Sequence, residues 1–252
     1  MKSKIKLFIL FLLVSVFINS FSNNPNTNNS DSTSKEPIVV TPNYYMTSNM
    51  AGNLPVDPNI KIDTLASNKL VCYVKNNYAS NAETVIELVY KVGSLMEDST
   101  RIAQAFFTAN YVAKYYSSII SDKFNGRINP IVDVEAKPDF TKFLFSVDTK
   151  DNNKDATISD FLKFLSDTVS FNSRLFDANK ADIITQYNQN QLNELQYRIG
   201  KQPKIKYLNS ISITKLKQFY KDWYRPNLMA VVVVGDIDAA SAEALIKKHF
   251  AG

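Results

Sequence analysis

The chain has 252 residues and a formal net charge of +5, and its composition excludes several kinds of functional site. It contains one histidine, His249, near the C-terminus, and one cysteine, Cys72. We therefore expect no histidine-based catalytic triad, no multi-histidine zinc site and no internal disulfide. The six glycines are too far apart for a phosphate-binding loop or a dinucleotide fingerprint. The length suits one domain with appendages.

The first 22 residues are typical of a secretory signal peptide. Three lysines precede residues 7–18, an apolar run interrupted only by Ser15, and small residues follow at Ser20 and Ser22. The run is shorter than the ~20 residues that a membrane span needs. An uncleaved N-terminal anchor is the alternative interpretation. The sequence therefore predicts export to the periplasm or the cell surface.

Residues 23–60 are predicted to form a flexible tether. Their first part is rich in asparagine and serine, and the rest contains Pro37, Pro42, Pro55 and Pro58. One folded domain is expected over residues 61–252. Without the three lysines of the signal peptide the net charge falls to +2, which gives no reason to expect a nucleic-acid partner.

The folded region begins with strands and one long helix. Residues with high β propensity, or apolar residues in alternation, predict strands, and an apolar stripe at spacings of three and four that includes Phe106 predicts the helix. We expect Phe106 to lie in the core. The predicted elements are strands at 69–75 and 84–92, a helix at 100–120, and strands at 127–134 and 140–147.

The second half is predicted to be mainly helical. Thr157 is interpreted as the N-cap of one helix, and others are expected from about 177 past 187, at 214–224 and at the C-terminus. Residues 231–234 form an unbroken apolar run, which is typical of a strand buried on both faces. The order of elements predicts an α+β domain with helices packed on a largely antiparallel sheet.

Two stretches resemble one known family. The first is KVGSLMED at 91–98, which ends a predicted strand before the long helix. The second is FYKDWYRPN at 219–227, followed by the apolar strand, GDID at 235–238 and EALIKKHF at 243–250. Both are similar to the insulinase/pitrilysin family of zinc metallopeptidases, which includes the mitochondrial processing peptidase. The resemblance implies one insulinase/pitrilysin-type α+β domain.

The resemblance also implies where catalytic groups would stand, and this sequence lacks them. The family's H-x-x-E-H motif binds zinc through two histidines and uses the glutamate as general base. Its positions fall on Gln104, Phe107 and Thr108, and a later glutamate ligand falls on Tyr187, with Gln186 as the alternative register. We therefore expect no catalytic residues, no metal and no cofactor.

A predicted edge strand is the candidate binding element. In the family, the corresponding strand resembles a docking strip for extended substrate. An ordinary edge strand interrupted by Pro130 is the alternative interpretation. The candidate binding residues are Arg127, Ile128, Asn129, Ile131 and Val132.

The resulting hypothesis is an exported, catalytically inactive homologue of zinc metalloendopeptidases. It would act as a non-catalytic partner subunit or as a polypeptide-binding domain. Active members of the family combine two or more such domains around a chamber, and we expect this chain to hold one. The expected partner is an active homologous peptidase subunit or an extended polypeptide, and membrane contact is expected only through an uncleaved signal segment. The alternatives are a component of a metalloendopeptidase whose zinc lies in a partner chain, and a decayed fragment.

Overall fold

The structure, a computed structural model, describes residues 57–78, 83–98, 100–124, 128–148, 154–195 and 208–251. Within these ranges, the side chains of 128–132 and 190–195 are not described. The chain divides into two units, Met1–Pro58 and Asn59–Gly252, and every described strand and helix belongs to the second. The predicted signal peptide and most of the predicted tether lie outside the described residues, so both remain predictions.

A six-stranded mixed sheet forms one layer of the domain. Its strand order is β1-β2-β6-β3-β5-β4. Every neighbouring pair is antiparallel except β2 and β6, which are parallel. The predicted α+β class with a largely antiparallel sheet is therefore confirmed. The strands are β1 Lys61–Thr64, β2 Val71–Asn76, β3 Glu83–Tyr90, β4 Ile128–Ala136, β5 Thr141–Asp148 and β6 Met229–Gly235.

Five α-helices in the described part of the chain accompany the sheet. Ser212 caps the fourth by accepting a hydrogen bond from the Lys215 amide, and Asp238 caps the fifth by accepting one from the Ser241 amide at 2.8 Å. Among the described helices, none is long and apolar enough to span a membrane. The helices are α1 Gln104–Phe124, α2 Lys154–Ser166, α3 Ser173–Leu195, α4 Ile213–Trp223 and α5 Ala239–Phe250.

The start of α2 differs from the prediction. Thr157 was expected to cap this helix, but α2 begins at Lys154, and Thr157 lies inside it with its side chain buried. A threonine before an apolar periodic run fits two positions equally well, an N-cap or a buried site in the first turn. Burial against the core decides for the second position here.

The main core lies between the helices and one face of the sheet. Tyr116 of α1 makes edge-to-face contacts with Phe143 and Phe145 of β5 and with Phe164 of α2, at centroid distances of 5.4–5.9 Å. Such contacts add about 0.5–1.5 kcal/mol each to the gain from burial. The aromatic cluster therefore fixes α1 and α2 on β5.

The opposite face of the sheet is also buried at its centre. Val89, Ala230 and Val232 are 0–1% exposed on this face. Glu87 stands among them, opposite Val232 of β6 and Leu144 of β5 in the strand register, and is itself fully buried. The all-apolar sequence of β6 follows from burial on both faces, as predicted.

Candidate functional site

A cleft of about 630 Å³ lies between α1 and the C-terminal part of β4. The side of α1 that carries Phe106, Asn110 and Lys114 forms one wall, and residues 133–138 form the other. Gln186 and Tyr187 of α3 close the end at which α1 begins. Both alternative positions for the later metal ligand thus line the cleft.

The three predicted motif positions on α1 are buried. Phe107 and Thr108 have no exposed surface, and Gln104 is 5% exposed. The Phe107 ring lies 6.3 Å from that of Tyr187, so the fold brings the first and later motif segments together. The side chains at these positions cannot act as a general base or form a zinc site. Thr108 Oγ1 is buried without a hydrogen-bond partner.

Phe106 and Phe107 differ in how deeply they are buried. Phe106 was expected in the core, but it is only half-buried and lines the cleft, packing edge-to-face on Tyr187 at 5.2 Å. Phe107 takes the core position instead. The prediction is wrong because α1 is buried on most of its circumference, and an apolar stripe cannot then distinguish the side facing the sheet from the side facing the cleft.

Glu97 organises the first turn of α1. Its carboxylate accepts hydrogen bonds from the amides of Ala103 at 2.8 Å and Ala105 at 2.7 Å. Burial raises the pKa of Glu97 to about 7 in spite of these two bonds. Ala103 has a φ of 64°, in the left-handed region that a residue with a Cβ rarely adopts. The carboxylate therefore holds the entry to α1 in a strained conformation beside the cleft.

The turn before Glu97 is packed tightly against the β4–β5 connection. A Cβ on Gly93 would lie 2.1 Å from the carbonyl oxygen of Lys137, so only glycine fits. The Leu95 amide donates to the carbonyl oxygen of Pro138 at 2.8 Å. These contacts fix the end wall of the cleft. Sequence reasoning assigned no role to Glu97, and the only available signal was an acidic residue shortly before the helix.

Some charged residues of the cleft form ion pairs and others do not. Glu135 contacts Lys142 at 3.0 Å and Lys137 at 3.4 Å. Burial acts to raise the pKa of Glu135, but the hydrogen bond and charge of Lys142, with Lys137, hold it below its usual value. Within the described part of the chain, neither Lys114 nor Asp133 has an ion-pair partner.

β4 is one of the two edge strands of the described sheet, and β1 is the other. The pairing of β4 with β5 shifts register between Asn129 and Asp133, a stretch that contains Pro130. Asp133–Ala136 form the regular part of the edge, and this part borders the cleft.

The candidate binding residues predicted on this strand are only partly described. Arg127 lies outside the described residues. Ile128 and Asn129 pair through their backbones with Val147 and Ser146, whereas Ile131 and Val132 fall within the register shift. The side chains of these four residues are not described, so their role in binding stays a prediction.

The remaining candidate metal ligands do not cluster. Within the described ranges, no three His, Cys, Asp or Glu side chains are grouped so that they could hold a metal ion. His249 Nε2 lies 3.0 Å from Ser159 Oγ and links α5 to α2. The histidine therefore has a structural contact between two helices.

Comparison with known proteins identifies relatives that support the resemblance. Residues 210–252, which contain α4, β6 and α5, match the model of the peptidase M16 inactive domain. The chain is 26% identical over 225 residues to the probable zinc protease PqqL of Haemophilus influenzae, covering 78% of this chain and 24% of that protein. A 40-residue stretch is 50% identical to the probable zinc protease PqqL of Escherichia coli, covering 16% of this chain and 4% of that protein. The chain thus spans about a quarter of the length of the Haemophilus relative.

Solved structures share the fold. The first half of the periplasmic protease PqqL from E. coli superposes with a TM-score of 0.64 and 21% identity, covering 79% of this chain and 47% of that one. The ferredoxin protease FusC in complex with Arabidopsis ferredoxin has a TM-score of 0.61 and 21% identity, covering 77% of this chain and 24% of that one. A protease from Helicobacter pylori has a TM-score of 0.60 and 17% identity, covering 77% of this chain and 50% of that one. With these matches the resemblance is confirmed: residues 210–252 match the M16 inactive domain, and the chain is homologous to the probable zinc protease PqqL.

Proposed function

We propose that this chain provides a non-catalytic M16-type domain that binds extended polypeptide in the cleft between α1 and β4. One observation carries the proposal. Where the resemblance places the family's two histidines and two glutamates, this chain has Gln104, Phe107, Thr108 and Tyr187, yet a cleft of about 630 Å³ remains beside the edge of β4. The cleft is thus equipped to hold a chain but not to cleave it.

The edge of β4 supplies a mode of binding. An edge strand presents backbone donors and acceptors that an extended peptide can pair with, which gives affinity independent of sequence. Asp133–Ala136 form a regular segment beside the cleft. A peptide in this position would add a seventh strand, and its alternate side chains would face α1.

A second candidate function is a contribution to proteolysis. The chain corresponds to 24% of a probable zinc protease, so in a larger assembly it would line a chamber whose zinc sits in another domain or chain. Addition of the chain to an active M16 peptidase from the same host tests this candidate. Faster hydrolysis of an unfolded substrate supports it, and an unchanged rate rejects it.

Export forms part of the proposal. It is supported by the basic and apolar pattern of residues 1–22 and by similarity to a protease described as periplasmic. Fractionation of host cells, followed by N-terminal sequencing of the recovered chain, tests it. Recovery of the uncleaved chain in the cytoplasm would reject export.

The binding experiment uses a permanently unfolded polypeptide, fluorescently labelled carboxymethylated α-lactalbumin, and follows its anisotropy. Ser117 lines the cleft on α1, whereas Ser118 is exposed beside it and is absent from the lining. Ser117→Trp should weaken binding about tenfold by filling the cleft, and Ser118→Trp is the matched control. Equal binding by both variants would place the polypeptide elsewhere, and no binding by the unmodified chain would reject the proposal.

A further inference from the structure

The side chains of β4 are apolar on one face of the sheet and acidic on the other, and this difference bears on which peptides the cleft would bind. Val134 and Ala136 point to the side of the sheet that packs against the helical core. Asp133 and Glu135 alternate with them and point to the other side. An added strand would therefore meet α1 with every second side chain and the carboxylates of β4 with the others.

Each of these two sides has one charged side chain that forms no ion pair within the described ranges. On the α1 side, Lys114 lines the cleft and has no acidic partner in the described ranges. On the other side, Asp133 is exposed and likewise has no cationic partner there, whereas Glu135 is held by Lys142 and Lys137. A bound peptide would thus meet one available cation and one available carboxylate on opposite sides of its backbone.

The closed end of the cleft presents an aromatic pair. Phe106 and Tyr187 form an edge-to-face pair, and both line the cleft. Phe106 precedes Lys114 by eight residues, which is about 12 Å along a helix at 1.5 Å per residue. Four residues of extended chain span about 13 Å at 3.3–3.4 Å each, and residues four apart point to the same side. One peptide can therefore place a side chain on each of the two features.

We propose that the cleft selects extended peptides in which an apolar and an acidic residue stand four positions apart and a basic residue adjoins the acidic one. The apolar side chain packs on Phe106 and Tyr187, the acidic one pairs with Lys114, and the basic one pairs with Asp133. This inference rests on the proposed polypeptide-binding function and adds the chemistry of the ligand.

The test compares three labelled ten-residue peptides of identical composition on a serine/threonine host. The first has leucine and glutamate four apart with lysine beside the glutamate. The second moves the leucine to three apart, and the third exchanges the glutamate and the lysine. Fluorescence anisotropy with the full chain should show the first peptide binding more tightly than the other two. Its advantage over the third peptide should be about two- to fivefold for each of the two ion pairs that the exchange removes. The advantage over the third peptide should shrink as salt is added.

Charge-reversed variants assign the contacts. Lys114→Glu and Asp133→Lys should each weaken binding of the first peptide about three- to tenfold. The double variant should prefer the third peptide, whose charges are exchanged. Lys217→Glu, an equal change on the exposed side of α4, is the control and should leave the preference unchanged.

The outcomes separate this inference from the proposed function. Equal affinity for all three peptides, or a double variant that keeps the original preference, overturns the charge and spacing pattern but leaves polypeptide binding intact. Absence of binding by any peptide and by the unfolded polypeptide overturns both. Thermal unfolding of each variant checks that these substitutions, which lie at partly or fully exposed positions, leave the fold intact.

Discussion

The buried carboxylate of Glu87 allows a sharp test of the sheet, by substitution with glutamine. Neither carboxylate oxygen of Glu87 has a hydrogen-bond partner. Its nearest cation, Lys142 Nζ, lies 3.8 Å away and is shared with Glu135, which is closer at 3.0 Å. Burial therefore outweighs the attraction of Lys142 and raises the pKa of Glu87 from 4.5 to about 7.

The sign of the pH dependence follows from this raised pKa. The folded chain binds the proton more tightly than the unfolded chain, so the ionised form is the one that opposes folding. The free energy of unfolding should be greatest below about pH 4.5 and should fall as the pH rises to about 7, after which it levels off. A shift of this size corresponds to about 3 kcal/mol at pH 8, since one pKa unit is worth about 1.4 kcal/mol.

Glu87→Gln keeps the shape of the side chain and removes the charge. The variant should therefore be more stable than the natural chain by roughly 1–3 kcal/mol at pH 8, and equally stable near pH 4.5. Part of the slope should survive, because the pKa of Glu97 is also raised to about 7 by burial. Glu135→Gln, which breaks the contacts to Lys142 and Lys137, should shift stability in the opposite direction.

Urea unfolding of the full chain at pH 4.5, 6 and 8 measures these differences. A Glu87→Gln variant that is less stable at pH 8 would refute the reasoning. It would mean that Glu87 is ionised in the fold and that its pairing with Lys142 stabilises the sheet. An unchanged slope would mean that Glu87 is not the group that titrates.

Three further predictions concern the cleft and its walls. Phe107→Ala should lower the free energy of unfolding by about 3–5 kcal/mol, because Phe107 is fully buried. Phe106→Ala should lower it by less and should weaken peptide binding, because Phe106 lines the cleft. Equal losses of stability would contradict the assignment of core and cleft positions. Gly93→Ala should destabilise the fold by roughly 1–3 kcal/mol, because the added Cβ would lie 2.1 Å from the carbonyl oxygen of Lys137. An unchanged unfolding midpoint would show that the turn can move. Elemental analysis of the purified chain should find no stoichiometric zinc, and a tightly bound equivalent that Gln104→Ala removes would contradict the assignment of the degenerate motif.

Much of the fold was predictable because its signals are local. The four-valine run of β6 predicts a strand buried on both faces, and the structure places it between β2 and β3. Alternation predicts β3 and β5 within a few residues of their observed bounds. The edge position of β4 came from the family resemblance, and Pro130 agrees with it because proline within a sheet is confined to edges and bulges.

What could not be predicted depends on contacts between distant residues. Alternation assigns Glu87 to the face opposite Ile86 and Leu88, but only the assembled sheet shows that this face is buried. The Glu97 carboxylate accepts hydrogen bonds from the amides of Ala103 and Ala105 across a non-helical turn in which Ala103 has a positive φ. This arrangement matches no capping pattern that can be recognised in a sequence. Helical periodicity likewise could not separate Phe106 from Phe107, because most positions in the first turns of α1 are buried.

The proposed binding role gives a reason for the unusual backbone geometry at the end of the cleft where α1 begins. This end combines Gly93 in close contact with a carbonyl oxygen, a left-handed Ala103 and the half-buried Glu97 carboxylate, whose pKa is raised to about 7. Backbone strain of this kind costs of order 1–3 kcal/mol and persists only where surrounding contacts enforce it, as they do at functional sites. Both oxygens of the Glu97 carboxylate accept hydrogen bonds from the amides of Ala103 and Ala105, so the carboxylate positions the backbone at the start of α1. These features hold α1 at a fixed position beside β4, and a fixed gap next to a strand edge is what recognition of an extended chain requires.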